Sequence, residues 1–272
     1  MPGSGKAVCA GAGSGAMKAA EDPPPMTTLT MLSLWTLMVA TSLLSGIFGM
    51  AGGLVLIGVL LLLLPLPVAM ALHAVTQIAS NAWRAAFLLG HVRWAIVAAY
   101  ALGCVVAVGL WSLVLFVPDK PLALIALGLS PFLLKLLPAG SKADPEDPLH
   151  GACCGMASMS LMLLTGVAGP LLDSFFLGGR LDRHGIVATK AVCQVQGHAM
   201  KLLYFGGLVV GAAELDPVLA GGAVAASLLG TLLARPLLAA LTEVQYRAWA
   251  GRLVAGIAAF YLAQGTWLLV FP

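Results

Sequence analysis

The sequence predicts an all-α integral membrane protein built from two inverted-topology repeats of about five helical segments each, with broken or re-entrant helices at Gly-rich motifs. Three observations predict it. The 272 residues are 60% hydrophobic and only 9% charged, far below the roughly 25% charged residues of soluble domains, so lipid is the expected solvent. Two apolar runs are too short to cross a bilayer untilted, and each follows a cluster of glycines. The two halves of the chain align on polar residues inside apolar segments.

The apolar runs exceed the length of a barrel strand and do not alternate with polar residues, which predicts helices. Ten segments follow in order: 29–48, 52–64, 68–89, 94–117, 121–137, 151–169, 170–179, 186–207, 217–241 and 249–270. Several approach the ~20 residues that span the hydrocarbon core. The second follows Gly46-Ile-Phe-Gly49-Met-Ala-Gly52-Gly53 and the seventh follows Gly166-Val-Ala-Gly169-Pro170. Broken helices at membrane depth occur where they line a cavity or are buried in protein. Residues 1–28 form a Gly/Ala/Ser-rich stretch with three consecutive prolines and no apolar core, expected to be a disordered tail rather than a signal peptide. Met26 is an alternative start. The domains are expected as a first membrane repeat at 29–137, a cytoplasmic linker at 138–150 and a second repeat at 151–272.

The stretch from His73 to Gly90 aligns with Lys190 to Gly207. Ala74/Ala191, Val75/Val192, Gln77/Gln194, Ala82/Ala199 and Gly90/Gly207 are identical, and Arg84/Lys201 is conservative. Upstream, Gly46/Gly166 and Gly49/Gly169 align after a three-residue shift. An odd number of segments per repeat inverts the second repeat. Charge placement agrees: His91 and Arg93, then Arg180, Arg183 and His184, then Arg247 and Arg252 all follow odd-numbered segments. The positive-inside rule makes that face cytoplasmic and puts both termini outside an inner (plasma) membrane.

Within the third segment His73, Gln77, Asn81 and Arg84 fall on one helical stripe, repeated in the eighth by Lys190, Gln194, His198 and Lys201. A Lys or Arg at bilayer centre costs about 2.5–3.5 kcal/mol even on insertion scales. The stripes must therefore face each other, a cavity or a partner. Two cations with few acids point to a small anion, with Gln77 and Gln194 orienting it. The breaks, through Gly49, Gly52, Gly53 and Gly169, would bring backbone close to it.

Simpler readings stand beside these. Arg84 and Lys201 could each snorkel to a surface, and the glutamines could bond a neighbouring helix. His73 and Lys190 lie near helix starts, where an interfacial position is expected. His198 is either a satisfied buried histidine or a proton exchanger. Asp173 either favours a helix N-terminus, or serves proton coupling or as counter-ion to Lys201. Cys9, Cys104, Cys153, Cys154 and Cys193 show no zinc or CxxC spacing. Neither a metal nor a cofactor is expected, and no nucleic-acid surface is legible.

At these residues the sequence resembles the sulfite exporter TauE/SafE family. The first half carries Gly46-Ile-Phe-Gly-Met-Ala-Gly-Gly53, Pro67-Val-Ala-Met-Ala and Gly90-His-Val-Arg-Trp94. The second carries Gly166-Val-Ala-Gly-Pro-Leu-Leu-Asp173, Leu181-Asp-Arg183 and Val187-Ala-Thr-Lys-Ala191. The resemblance spans most of 29–270. Ala51 stands where a third consecutive glycine is common, and the second break continues as Pro-Leu-Leu. The resemblance implies sulfur oxyanions, sulfite or small organosulfonates, as substrates. The expected function is secondary transport of such an anion by alternating access, with Asp173 or His198 as candidates for proton coupling. An anion channel and a membrane thiol-redox protein using Cys193 are the alternatives. The substrate and the bilayer are the expected partners, and homo-oligomerisation is left open.

Overall fold

The computed structural model describes residues 27–48, 51–133, 143–177, 180–209, 215–240 and 242–271. The tail reading for 1–28 and the start of the linker at 138–142 fall almost wholly outside them. The described residues form ten α-helices: α1 (Thr28–Phe48), α2 (Ala51–Leu63), α3 (Leu66–Ala86), α4 (Trp94–Val114), α5 (Lys120–Leu133), α6 (Pro148–Thr165), α7 (Gly169–Leu177), α8 (Arg183–Leu203), α9 (Pro217–Ala240) and α10 (Glu243–Val270). A 3₁₀ turn at Leu89–His91 follows α3, and a π-helical turn at Tyr204–Leu208 follows α8.

The helix limits have local causes. Asp147 caps α6 by accepting from the backbone N–H groups of Leu149 (2.8 Å) and His150 (3.2 Å), with Pro148 opening the first turn. Asp182 caps α8 by accepting from the Gly185 N–H. At the far end of α6, Gly166 adopts φ +86°, the left-handed conformation that lets the chain turn sharply into α7.

Five helices or parts of helices are long and apolar enough to cross a membrane: α1, α4, α6, the first 18 residues of α9, and Gly251–Val270 of α10. Their outward faces carry large apolar side chains such as Leu102, Leu110, Leu113 and Leu233. In water such a surface would be untenable, but in lipid it is the expected exterior. The two 21-residue helices outside that set, α3 and α8, are the ones that carry the polar stripes. At about 1.5 Å per residue they are long enough to span, but they pack at the centre of the molecule.

The most extensive helix pairs are α1 with α9, α4 with α6, α3 with α8 and α5 with α10. Exchanging the halves (α1 for α6, α4 for α9, and so on) maps this set onto itself. Glycine lets the first two pairs approach closely. A Cβ on Gly155 of α6 would strike the Tyr100 carbonyl of α4, and one on Gly230 of α9 would strike the Val39 carbonyl of α1. Both short helices appear where the glycine breaks place them: α2 has 13 residues and α7 has nine.

Candidate anion site

The site forms where α3 and α8 cross. His73 on α3 meets Lys201 on α8, and the Arg93 N–H just beyond α3 donates to the Thr189 hydroxyl near the start of α8 (3.0 Å). As numbering rises along α3 it falls along α8, so the two helices are antiparallel and their stripes face one another.

Lys201 is 0% exposed, as is His73. The Lys201 ammonium donates to His73 Nδ1 at 2.7 Å and to the Gly166 carbonyl at 2.9 Å. With Nδ1 accepting, the His73 proton sits on Nε2, which donates to the Gly53 carbonyl at 3.1 Å. One chain of hydrogen bonds thus links both glycine breaks to both stripes. Among the described residues no carboxylate bonds Lys201. An ammonium has three donors, and the described residues use two. Snorkelling, the simpler reading of Lys201, is excluded by its burial. The interfacial position expected for His73 is likewise corrected, because the helix begins at Leu66 and the lysine draws the ring into the core.

His198 stands next in this cluster. Its ring lies edge-on to His73 with centroids 5.4 Å apart, it is 3% exposed, and among the described residues its Nδ1 has no partner. It is therefore not the satisfied core histidine of the simpler reading. Asn81 is fully buried and donates to the Gln77 carbonyl (2.9 Å), while its Oδ1, an acceptor, has no partner among the described residues. Gln77 is buried against Gly53: a Cβ there would meet the Gln77 amide at 3.4–3.5 Å, an ordinary contact. Gln194 is half-buried on α8 between Lys190 and His198.

A second group lies nearer the other end of the crossing. Lys190 forms an ion pair with Asp173 of α7. Arg84 is half-buried and turns back toward Ser80 (Nη2 to Oγ, 3.4 Å). Both readings of Asp173 that involve a helix N-terminus or Lys201 are corrected. It sits beyond the first turn of α7, whose first residue is Gly169, and its partner is Lys190. The antiparallel crossing is the reason, since it carries Lys201 toward His73 and leaves Lys190 beside α7.

Of the glycines expected to line the site, Gly53 faces Gln77, but Gly52 is turned to α1, where a Cβ would strike the Thr41 carbonyl and Ser45. Gly169 is buried at the start of α7. Gly49 lies outside the described residues. Sequence reasoning did not assign Gly166 or His73 to the site, although both stood in motifs it had marked.

The four described thiols make no hydrogen bond to this cluster, and Cys153 is exposed. Cys104, Cys154 and Cys193 are buried, and Cys104 donates to the Gly155 carbonyl (3.4 Å) at the α4–α6 interface.

No curated protein and no solved structure matches this chain. One family model matches residues 34–261, from the second turn of α1 to the middle of α10, and so covers every residue of the α3–α8 crossing. The chain belongs to the sulfite exporter TauE/SafE family.

Proposed function

We propose that this membrane transporter carries a small sulfur oxyanion, sulfite or a small organosulfonate, by alternating access between two inverted repeats. The observation that carries the reading is Lys201, a cation at zero exposure whose partners are a neutral imidazole and a carbonyl. Burying such a charge costs several kcal/mol, and an anion that the ammonium's remaining donor can reach would offset that cost. The family supplies the substrate class. The Gln77 amide beside Gly53 and the His198 ring beside His73 offer neutral hydrogen-bonding groups that orient an oxyanion without trapping it.

The inverted repeat is supported by the helix pairing, which is unchanged when the halves are exchanged. It is supported also by the antiparallel α3 and α8 and by the basic loops on one face. In this reading the basic face is cytoplasmic, both termini are outside, and the repeats rock about the crossing. His198 and Asp173 are the groups available to carry a coupled proton.

Counterflow in proteoliposomes tests the proposal. Vesicles preloaded with sulfite should accumulate labelled sulfite saturably, and Lys201→Gln and Arg84→Gln should each reduce that uptake. Uptake unchanged in both variants sinks the site assignment. Ohmic current without counterflow would replace the carrier by a channel. Loss of uptake on blocking the thiols alone would favour the redox alternative.

A further inference from the structure

The two cationic groups at the α3–α8 crossing are counterparts that differ at one position. The register that aligns Gly46 with Gly166 and Gly49 with Gly169 also aligns Gly53 with Asp173. The stripe register aligns His73 with Lys190, Asn81 with His198, and Arg84 with Lys201. The contacts obey the same correspondence. His73 bonds Gly53 as Lys190 pairs with Asp173. Lys201 joins the first group through His73, whereas its counterpart Arg84 turns back to Ser80.

Each half-site therefore brings together one position from a short helix and one from early in a stripe, and the first adds Lys201 from the end of the other stripe. In the second half-site the short helix supplies a carboxylate. In the first it supplies a glycine, facing the Gln77 amide with ordinary contact room for a Cβ. The stripes carry a further, independent sign of a ligand. His198 is 3% exposed, and its Nδ1 has no partner among the described residues.

We propose that Asp173 is a built-in anion occupying one of two related half-sites, and that the transported anion takes the corresponding place beside Gly53, between His73, Lys201 and Gln77. The inference rests on the anion-carrier reading and sharpens it. The group bound at Gly53 must be as compact as a carboxylate, which suits sulfite or the headgroup of a small sulfonate. A single anion binds per chain, because the second half-site is neutralised from within.

The test is equilibrium binding of radiolabelled sulfite to the purified full chain in nanodiscs. Gly53→Asp puts a carboxylate where its counterpart already has one, and should weaken sulfite binding by at least about tenfold, the scale of one charge-assisted hydrogen bond. Gly53→Asn, of the same size without the charge, should bind clearly more tightly than Gly53→Asp. Asp173→Asn releases Lys190, so binding should rise from about one sulfite per chain toward two. Equal loss in Gly53→Asp and Gly53→Asn, wild-type affinity in Gly53→Asp, or one sulfite per chain in Asp173→Asn would each overturn the inference while leaving the carrier in place. If Gly53→Asp does not fold, the stoichiometry of Asp173→Asn decides alone. Absence of saturable sulfite binding in the wild type would instead overturn the sulfur-anion reading on which it rests.

Discussion

Lys201 Nζ lies 2.7 Å from His73 Nδ1, and this contact joins the last turn of α8 to the second turn of α3 across 128 residues of sequence. It places a cation at the centre of a membrane protein on partners that carry no negative charge. Stability and transport should therefore respond differently when it is removed.

Lys201→Met replaces the ammonium with an apolar chain of similar length. Removing a buried ammonium that no carboxylate pairs relieves several kcal/mol of desolvation, which offsets the roughly 1–3 kcal/mol for each acceptor left without a donor at His73 and Gly166. The melting temperature in detergent should be equal to or above that of the wild type, while sulfite counterflow falls by at least about tenfold, as expected for loss of a charge-assisted contact. A variant that melts much lower yet still transports would reverse both assignments.

His73→Ala removes one of the two groups that satisfy Lys201. It should destabilise the fold by about 1.5–3 kcal/mol, the value of a hydrogen bond to a charged group. Adding Lys201→Met should recover most of that loss, since the two residues act as one unit. Additive destabilisation in the double variant would show that His73 matters for packing alone.

Gly166→Ala meets two obstacles. The backbone there holds φ +86°, and a Cβ would approach Ile57 Cγ1 to 2.6 Å and Met70 Sδ to 3.1 Å. Left-handed strain and overpacking together predict a loss of about 2–4 kcal/mol. Thermal unfolding checks it. Because the Gly166 carbonyl also holds Lys201, sulfite affinity should fall in the same variant.

Asp147 lies outside the membrane-spanning segments and titrates with a readable sign. The backbone N–H groups of His150 and Leu149 hold its carboxyl below the usual aspartate range. A group whose folded pKa is depressed adds stability above its unfolded pKa and loses it as pH falls through the folded value. Melting wild type and Asp147→Asn side by side, from neutral pH to well below ~4, should show the wild-type advantage shrinking on acidification. A constant difference would mean that the cap works without its charge.

The sequence made the helices legible wherever lipid was their solvent. Apolar runs mark the candidate spans, and the glycine breaks mark both short helices to within a residue or two. The start of α10 was not legible in this way. Hydropathy begins it at 249, whereas the helix begins at Glu243, because Glu243 to Arg252 carries the polar and charged residues of a helix end outside the hydrocarbon. The Asp147–Pro148 cap moved the start of α6 to residue 148 by the same kind of local signal. In the site, the two stripes were legible because their spacing is a property of one helix. Their partners were not. His73 with Lys201 and Lys190 with Asp173 are fixed by an antiparallel crossing, which no one-dimensional pattern records. Gly52 and Gly53 show how fine the remaining distinction is: one residue turns a helix by about 100°, enough to aim the first at α1 and the second at Gln77.

The pairing of α1 with α9, α4 with α6, α3 with α8 and α5 with α10 bears on biosynthesis. Each pair takes one helix from before residue 134 and one from after residue 147. The first five helices leave the ribosome before any of these partners exists. Neither half is then a folding unit. The early helices must wait in the bilayer with Lys201's partner His73 and the cation Arg84 unanswered, and a chain cut in its central polar stretch should regain its fold when both pieces are made together.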